Sequence, residues 1–132
     1  MQQLTQDYLR ATFLVHKYTT AFASKERWWR PQALMDTRDG EAAEAAHLAA
    51  ALWIADARLL RVAWPQSTAP DVKALVRANR AVYADFMNLQ VKVKPDNLFR
   101  LSLWKRHFAA DFANDAAADA AVRGDVGLPT KH

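Results

Sequence analysis

The stretch from Ala45 to Pro65, AAHLAAALWIADARLLRVAWP, decides the fold. Ala45, Leu48, Leu52, Ala55, Leu59 and Val62 fall at intervals of 3-4-3-4-3, the stripe that one face of an α-helix presents. Trp64-Pro65 then stops it, because proline has no amide donor and disfavours helical geometry in the residue before it. The same rhythm runs outward in both directions. Leu4, Tyr8, Ala11, Val15, Tyr18 and Phe22 form a stripe upstream. Val72, Leu75, Asn79, Val82, Phe86, Leu89 and Val93 form one downstream, with a single polar member. A looser set follows in Leu98, Leu101, Trp104, Phe108, Phe112 and Ala116. No stretch alternates with a period of two, so no strand is expected.

The punctuation agrees. Thr68-Ala69-Pro70-Asp71 restarts the chain, with Thr68 as cap and Pro70 in the first turn. Lys94-Pro95-Asp96-Asn97 ends one helix and offers a cap for the next. In Val122-Arg-Gly-Asp-Val-Gly127-Leu128-Pro129, Gly127 is expected in the left-handed conformation, with Leu128 folding back on Val122. The first connection, Arg30 to Gly40, is longer, with a short turn expected around Ala33 to Met35. Helices are therefore expected over 4–29, 41–63, 69–93 and 97–126. Each spans about 30 Å, and together they make a single all-α domain, an up-and-down four-helix bundle over 1–132.

Composition supports this. The 132 residues include 27 alanines, the best helix former, and only 3 Gly and 5 Pro, too few turn residues for a sandwich or barrel. A hydrophobic share of 52% suffices for a core. With no cysteine, disulfides, thiolate metal sites and thiol catalysis are excluded. No run reaches the ~18 apolar residues of a membrane span. Met1-Gln2-Gln3-Leu4-Thr5 lacks the basic and apolar regions of a signal peptide. The expected location is the secreted or cell-envelope space if a leader has been cut away, and the cytoplasm otherwise.

Leu59-Leu60-Arg61-Val62-Ala63-Trp64-Pro65, Asp71-Val72-Lys73-Ala74-Leu75-Val76-Arg77-Ala78 and Val122-Arg123-Gly124-Asp125-Val126-Gly127-Leu128-Pro129 occur in this order. Over residues 42–129 the chain resembles a loose family of alanine-rich, secreted or lipid-anchored helical proteins of actinobacteria. The shared residues are turn, core and cap positions. The resemblance implies a helical fold and an envelope location, and it carries no established activity. This chain departs from the family in having neither a signal nor a lipobox cysteine.

Candidate chemistry is sparse. His107, Asp111, Asp115 and Asp119 stand four apart, a row that would suit a metal, since metals want several convergent donors. The Glu-x-x-His pairs of di-iron bundles are absent. The row is read as a solvated acidic face, and neither metal nor cofactor is expected. Arg10 before His16 and Arg100 before His107 have the spacing of small helical ribonucleases of the HEPN type. With 11 arginines and 4 histidines, about one such match is expected by chance. Lys25-Glu26-Arg27-Trp28-Trp29-Arg30 is the most unusual hexamer; one Trp is expected to plug the bundle end and the other to cover the first connection.

The net charge of +4 is uneven: +3 over 1–30, −4 over 31–56, +7 over 57–110 and −2 over 111–132. A basic middle favours an anionic surface or an acidic protein partner over nucleic acid, for which no recognition fingerprint is present. Arg77, Arg80, Lys92, Lys94, Lys105 and Arg106 are the candidate contacts, with Trp28 and Trp29. The leading expectation is a non-enzymatic, envelope-associated binding or interaction module. The alternative is a cytosolic nucleic-acid-directed protein, a weak ribonuclease using Arg10, His16, Arg100 and His107. A small-molecule binder using the bundle interior is a third class. Leu52, Leu59, Leu75, Val82, Phe86, Phe108 and Phe112 are expected to be buried together. Asn79 is expected to be buried or half-buried and hydrogen-bonded to a side chain or backbone group, since an unsatisfied buried amide costs about 1–3 kcal/mol.

Overall fold

The computed structural model describes residues 2–23, 40–92 and 98–129. They form four helices: α1 (Gln2–Ala23), α2 (Gly40–Arg61), α3 (Ala69–Lys92) and α4 (Leu98–Asp125). The expected boundaries hold to within two residues wherever both ends are described. The end of the first helix beyond residue 23, Trp28, Trp29, the turn at 33–35 and the 94–97 connection lie outside the described residues.

α2 ends at Arg61, two residues before the expected 63, for a local reason. The Trp64 indole donates to the Leu59 carbonyl at 2.8 Å, taking the acceptor that the Ala63 amide would need to continue the helix. Pro65 then starts a turn, its carbonyl accepting from the Thr68 and Ala69 amides, and Thr68 offers its own carbonyl to Val72 at 3.1 Å. At the end of α4, Gly127 has φ 80°. The Leu128 amide reaches the Arg123 carbonyl at 2.8 Å and the Gly127 amide reaches Gly124 at 3.2 Å. This pair of bonds is a Schellman cap, and Leu128 packs against the apolar cluster containing Val122 as the sequence leads one to expect.

Consecutive helices pack closely, α1 on α2, α2 on α3 and α3 on α4. Short or modest links make each pair antiparallel, so the chain runs up and down. α1 and α4 are joined chiefly by side chains that span their seam. Tyr8 and His16 reach Asp119, and Thr5 Oγ1 donates to the Val126 carbonyl.

The seven residues expected in one core fall instead into two. At one end Leu48, Leu52, Val82, Phe86, Trp104 and Phe108 pack together, with half-buried Phe112 against them. Phe108 makes ring contacts with Phe86, Trp104 and Phe112 at 5.0–5.4 Å between centroids. At the other end Leu59 and Leu75 pack with Tyr8, Val72, Val76, Val122 and Val126. The division has a cause. Between the two clusters each helix contributes polar side chains at the same level: Thr12 from α1, Asp56 from α2, Asn79 from α3, and Asp115 and Asp119 from α4. The structure bears out the reading of Asn79, which is 2% exposed and donates Nδ2 to Asp56 Oδ1 at 2.9 Å.

Leu59→Ala, in the tightly packed aliphatic cluster, is expected to destabilise the fold by roughly 2–5 kcal/mol in denaturant unfolding. Leu52→Ala, whose side chain borders a cavity at the level of Asn79, is expected to fall lower in that range, because part of its surroundings is already open.

Candidate functional site

The polar layer surrounds a cavity of about 80 Å³. This is room for several waters or a short organic group, since one water needs roughly 10–15 Å³ by the same measure. All four helices line it, with Thr12 and His16 from α1, Leu48 and Leu52 from α2, Asn79 from α3, and Asp115 and Asp119 from α4 among the contributors. Every lining residue from α2 and α3 is buried. Those that keep solvent exposure, among them His16, Thr19, Asp115 and Ala116, belong to α1 and α4. The mouth therefore lies at the α1/α4 seam, the one pairing of chain-end helices that side chains bridge.

The acidic row of α4 does not form the solvated face expected of it. A spacing of four advances the helix by about 400°, so each step rotates the side chain about 40° further round. Across His107, Asp111, Asp115 and Asp119 this turns the row from the surface into the bundle. His107 is 71% exposed, whereas Asp119 is buried. The inner stripe of α4 is Phe108, Phe112, Asp115, Asp119, Val122 and Val126, and Ala116, assigned to it from the sequence, lies exposed beside it.

Asp119 is well partnered. It accepts from the Tyr8 hydroxyl and lies 3.6 Å from His16 Nε2, while the Arg123 guanidinium sits 5.8 Å over the Tyr8 ring. Burial, together with the Asp119 charge, holds the Tyr8 phenol well above its usual range. Asp115 is not partnered in this way: its Oδ2 is buried with no hydrogen-bond partner. Burial, then the charges of Asp119 and Asp56, push its carboxyl up to about 7. Asn79 donates to Asp56, yet its own Oδ1 is likewise buried without a partner. Asp56 is itself pushed up to about 6 by burial, offset in part by the Asn79 bond and by Arg80, whose Nε lies 3.9 Å away.

The residues singled out from the sequence are dispersed. Arg10 is exposed on the outside of α1, beside Leu9, Phe13 and Arg58, and its carbonyl accepts from Arg58 at 3.4 Å. His16 is on the cavity wall. Six residues apart, the two point about 120° from each other on one helix. His107 faces Asp85 and Asp111. The side chains of Arg100, Lys92 and Lys94 lie outside the described residues. Arg77, Arg80, Lys105 and Arg106 are exposed. Asp56 and Asp85 went unnoticed in the sequence. Asp56 had a usable signal, since it stands four after Leu52 and three before Leu59, a polar residue on an apolar stripe. Asp85 stands three after Val82 with a similar claim.

Asp115 gives stability a definite pH dependence. In the unfolded chain its carboxyl ionises in the ordinary range near 4, whereas in the folded chain it does so near 7. Between these values the folded state holds a proton that the unfolded state has released. Stability is thus fullest below about pH 4 on this account and falls as pH rises to about 7. Asp115→Asn is expected to flatten that fall in denaturant titrations across this window.

Comparison with protein-family models, with curated proteins and with solved structures returns no match.

Proposed function

We propose that the protein is a non-enzymatic binding module whose ligand is a small primary ammonium compound held in the midlayer cavity. One observation carries this reading: two residues of the cavity wall, Asn79 and Asp115, each keep a buried oxygen without a hydrogen-bond partner. Such groups are rare because each costs about 1–3 kcal/mol. Above about pH 7, where Asp115 is ionised, both are acceptors, so a ligand that satisfies them must donate hydrogen bonds. Asp115, Asp119 and the nearby Asp56 favour a positive charge on it. The remaining wall includes Val15, Leu48, Leu52, Leu75 and Val82, which suits a short alkyl chain behind the charged head.

The test is calorimetric titration at pH 8 with n-butylammonium, n-butanol and n-butyrate. Saturable one-to-one binding of the ammonium is expected, with the alcohol at least about tenfold weaker and the carboxylate weaker still. Equal binding of alcohol and ammonium would refute the reading. Asp115→Asn should weaken the ammonium by about tenfold or more while leaving the alcohol largely unaffected. Because Asp115 must be ionised to attract the cation, affinity is expected to drop as pH falls below about 7.

A second surface supports the expected anionic partner. Lys73, Arg77 and Arg80 share the outer face of α3 and border a shallow groove with Leu60 and Val76. This combination of cations with the exposed Leu60 side chain suits the headgroup region of an anionic membrane, and no helix among the described residues is long and apolar enough to cross one. The envelope placement itself rests on the sequence resemblance. Co-sedimentation with vesicles rich in anionic lipid is expected to exceed that with neutral vesicles at low salt and to fade at high salt. Equal retention by both would remove the membrane reading.

A further inference from the structure

A second cluster lies between α3 and α4, nearer the aromatic end of the bundle and away from the cavity wall. His107 Nε2 stands 3.5 Å from Asp85 Oδ1 and 3.3 Å from Asp111 Oδ2. One donor atom from each of the three residues lies within 4.8 Å of the other two. The metal-free reading of the α4 row from the sequence omitted the third member, because Asp85 comes from a different helix. We propose that Asp85, His107 and Asp111 bind a divalent first-row transition metal ion, with zinc the best fit.

The geometry supports this on three counts. Donors held at 2.0–2.1 Å around a tetrahedral ion are separated by roughly 3.3–3.4 Å, the edge of that tetrahedron. The distances from the imidazole nitrogen, 3.5 and 3.3 Å, lie close to this edge before any movement. The second count is the carboxylate of Asp85. Its side chain is only 4% exposed and turns Oδ1 to the imidazole, while its other oxygen, Oδ2, is buried in the cluster with the Asp111 carboxyl group and has no donor of its own. A buried carboxylate with an empty lone-pair site, in a group of donors, is what a cation would complete. The third is charge. Two neighbouring carboxylates repel, and a divalent ion with a neutral imidazole balances both at once.

The donor set also selects the ion. One imidazole nitrogen with two carboxylate oxygens suits zinc, cobalt or nickel, whereas calcium and magnesium prefer oxygen-only shells of six or more ligands. Three protein ligands leave a fourth position for water, and exposed His107 leaves a path from solvent. The frame is fixed independently of the ion. Trp104 Nε1 donates to the Asp85 carbonyl at 2.6 Å and so ties α3 to α4 one turn from His107. His107 and Asp111 are four apart on α4, the spacing at which two side chains of one helix converge on a common point.

The experiment uses the full chain, stripped with a chelator that is then removed, and titrated with zinc chloride or cobalt chloride. One equivalent of zinc is expected to bind, and cobalt is expected to show the intense visible bands of a four- or five-coordinate site. The ring resonances of His107 should shift on adding zinc while those of His47, an exposed histidine on α2, do not. His107→Ala and Asp85→Asn are each expected to weaken zinc at least about tenfold, with His47→Ala unchanged. Because His107 is largely exposed, its replacement tests the site even if Asp85→Asn perturbs folding, which circular dichroism reports. Zinc binding that survives His107→Ala at full affinity, or cobalt that keeps the spectrum of its aqueous ion, would overturn the proposal.

Discussion

A carboxylate cannot be packed against hydrocarbon without a partner, and α4 turns carboxylates inward where the other three helices supply mostly aliphatic or hydroxyl groups. Asp115 and Asp119 sit on the same stripe as Phe108, Phe112, Val122 and Val126. The bundle must provide for them at this level. For Asp119 it does so from α1, with the Tyr8 hydroxyl and His16 meeting it across the seam, whereas Asp115 keeps its proton up to about pH 7. Tyrosine and histidine are long, and side chains of that length hold two helices together while leaving space beneath them.

From this one layer the rest of the architecture follows. The apolar core is split into an aromatic end and an aliphatic end because neither can continue through Asp56, Asn79 and Asp115. The Asn79–Asp56 bond ties α3 to α2 at the same level and fixes their register, since sliding either helix by one turn would strand two buried polar groups. Single buried polar residues serve this purpose in coiled coils. The cavity lies in a layer that holds more acceptor oxygens than donors, and Asn79 Oδ1 and Asp115 Oδ2 are left over there.

The Asp85 cluster obeys the same arithmetic at a second place. There too an acid from α3 is buried against α4 and keeps one oxygen without a partner. The two places differ in what they would accept. The midlayer cavity has aliphatic walls and room for carbon atoms, whereas Asp85, His107 and Asp111 offer three donor atoms within 4.8 Å of one another and no such room. The basic outer face of α3 is separate from both. Arg80 bridges the themes, exposed toward solvent at its head yet within 3.9 Å of buried Asp56.

The helices themselves were determined by the sequence alone. Heptad-like spacing of Leu48, Leu52, Ala55 and Leu59 admits no other local structure, and Pro65, Pro70 and Gly127 act through their own backbone limits, which need no neighbours. Asn79 was legible for a similar reason, as a polar residue interrupting an apolar stripe. What the sequence left open was rotation and pairing between helices. The row from His107 to Asp119 looks like a single face when read at intervals of four, and only the 40° drift per step, judged against the position of the core, separates an exposed histidine from a buried aspartate. Asp56 meeting Asn79, Asp85 meeting His107 and Tyr8 meeting Asp119 are contacts between residues 22 to 111 positions apart. No local spacing encodes them, because they exist only once four helices have chosen the rotation that buries the most hydrocarbon and the fewest unpaired charges.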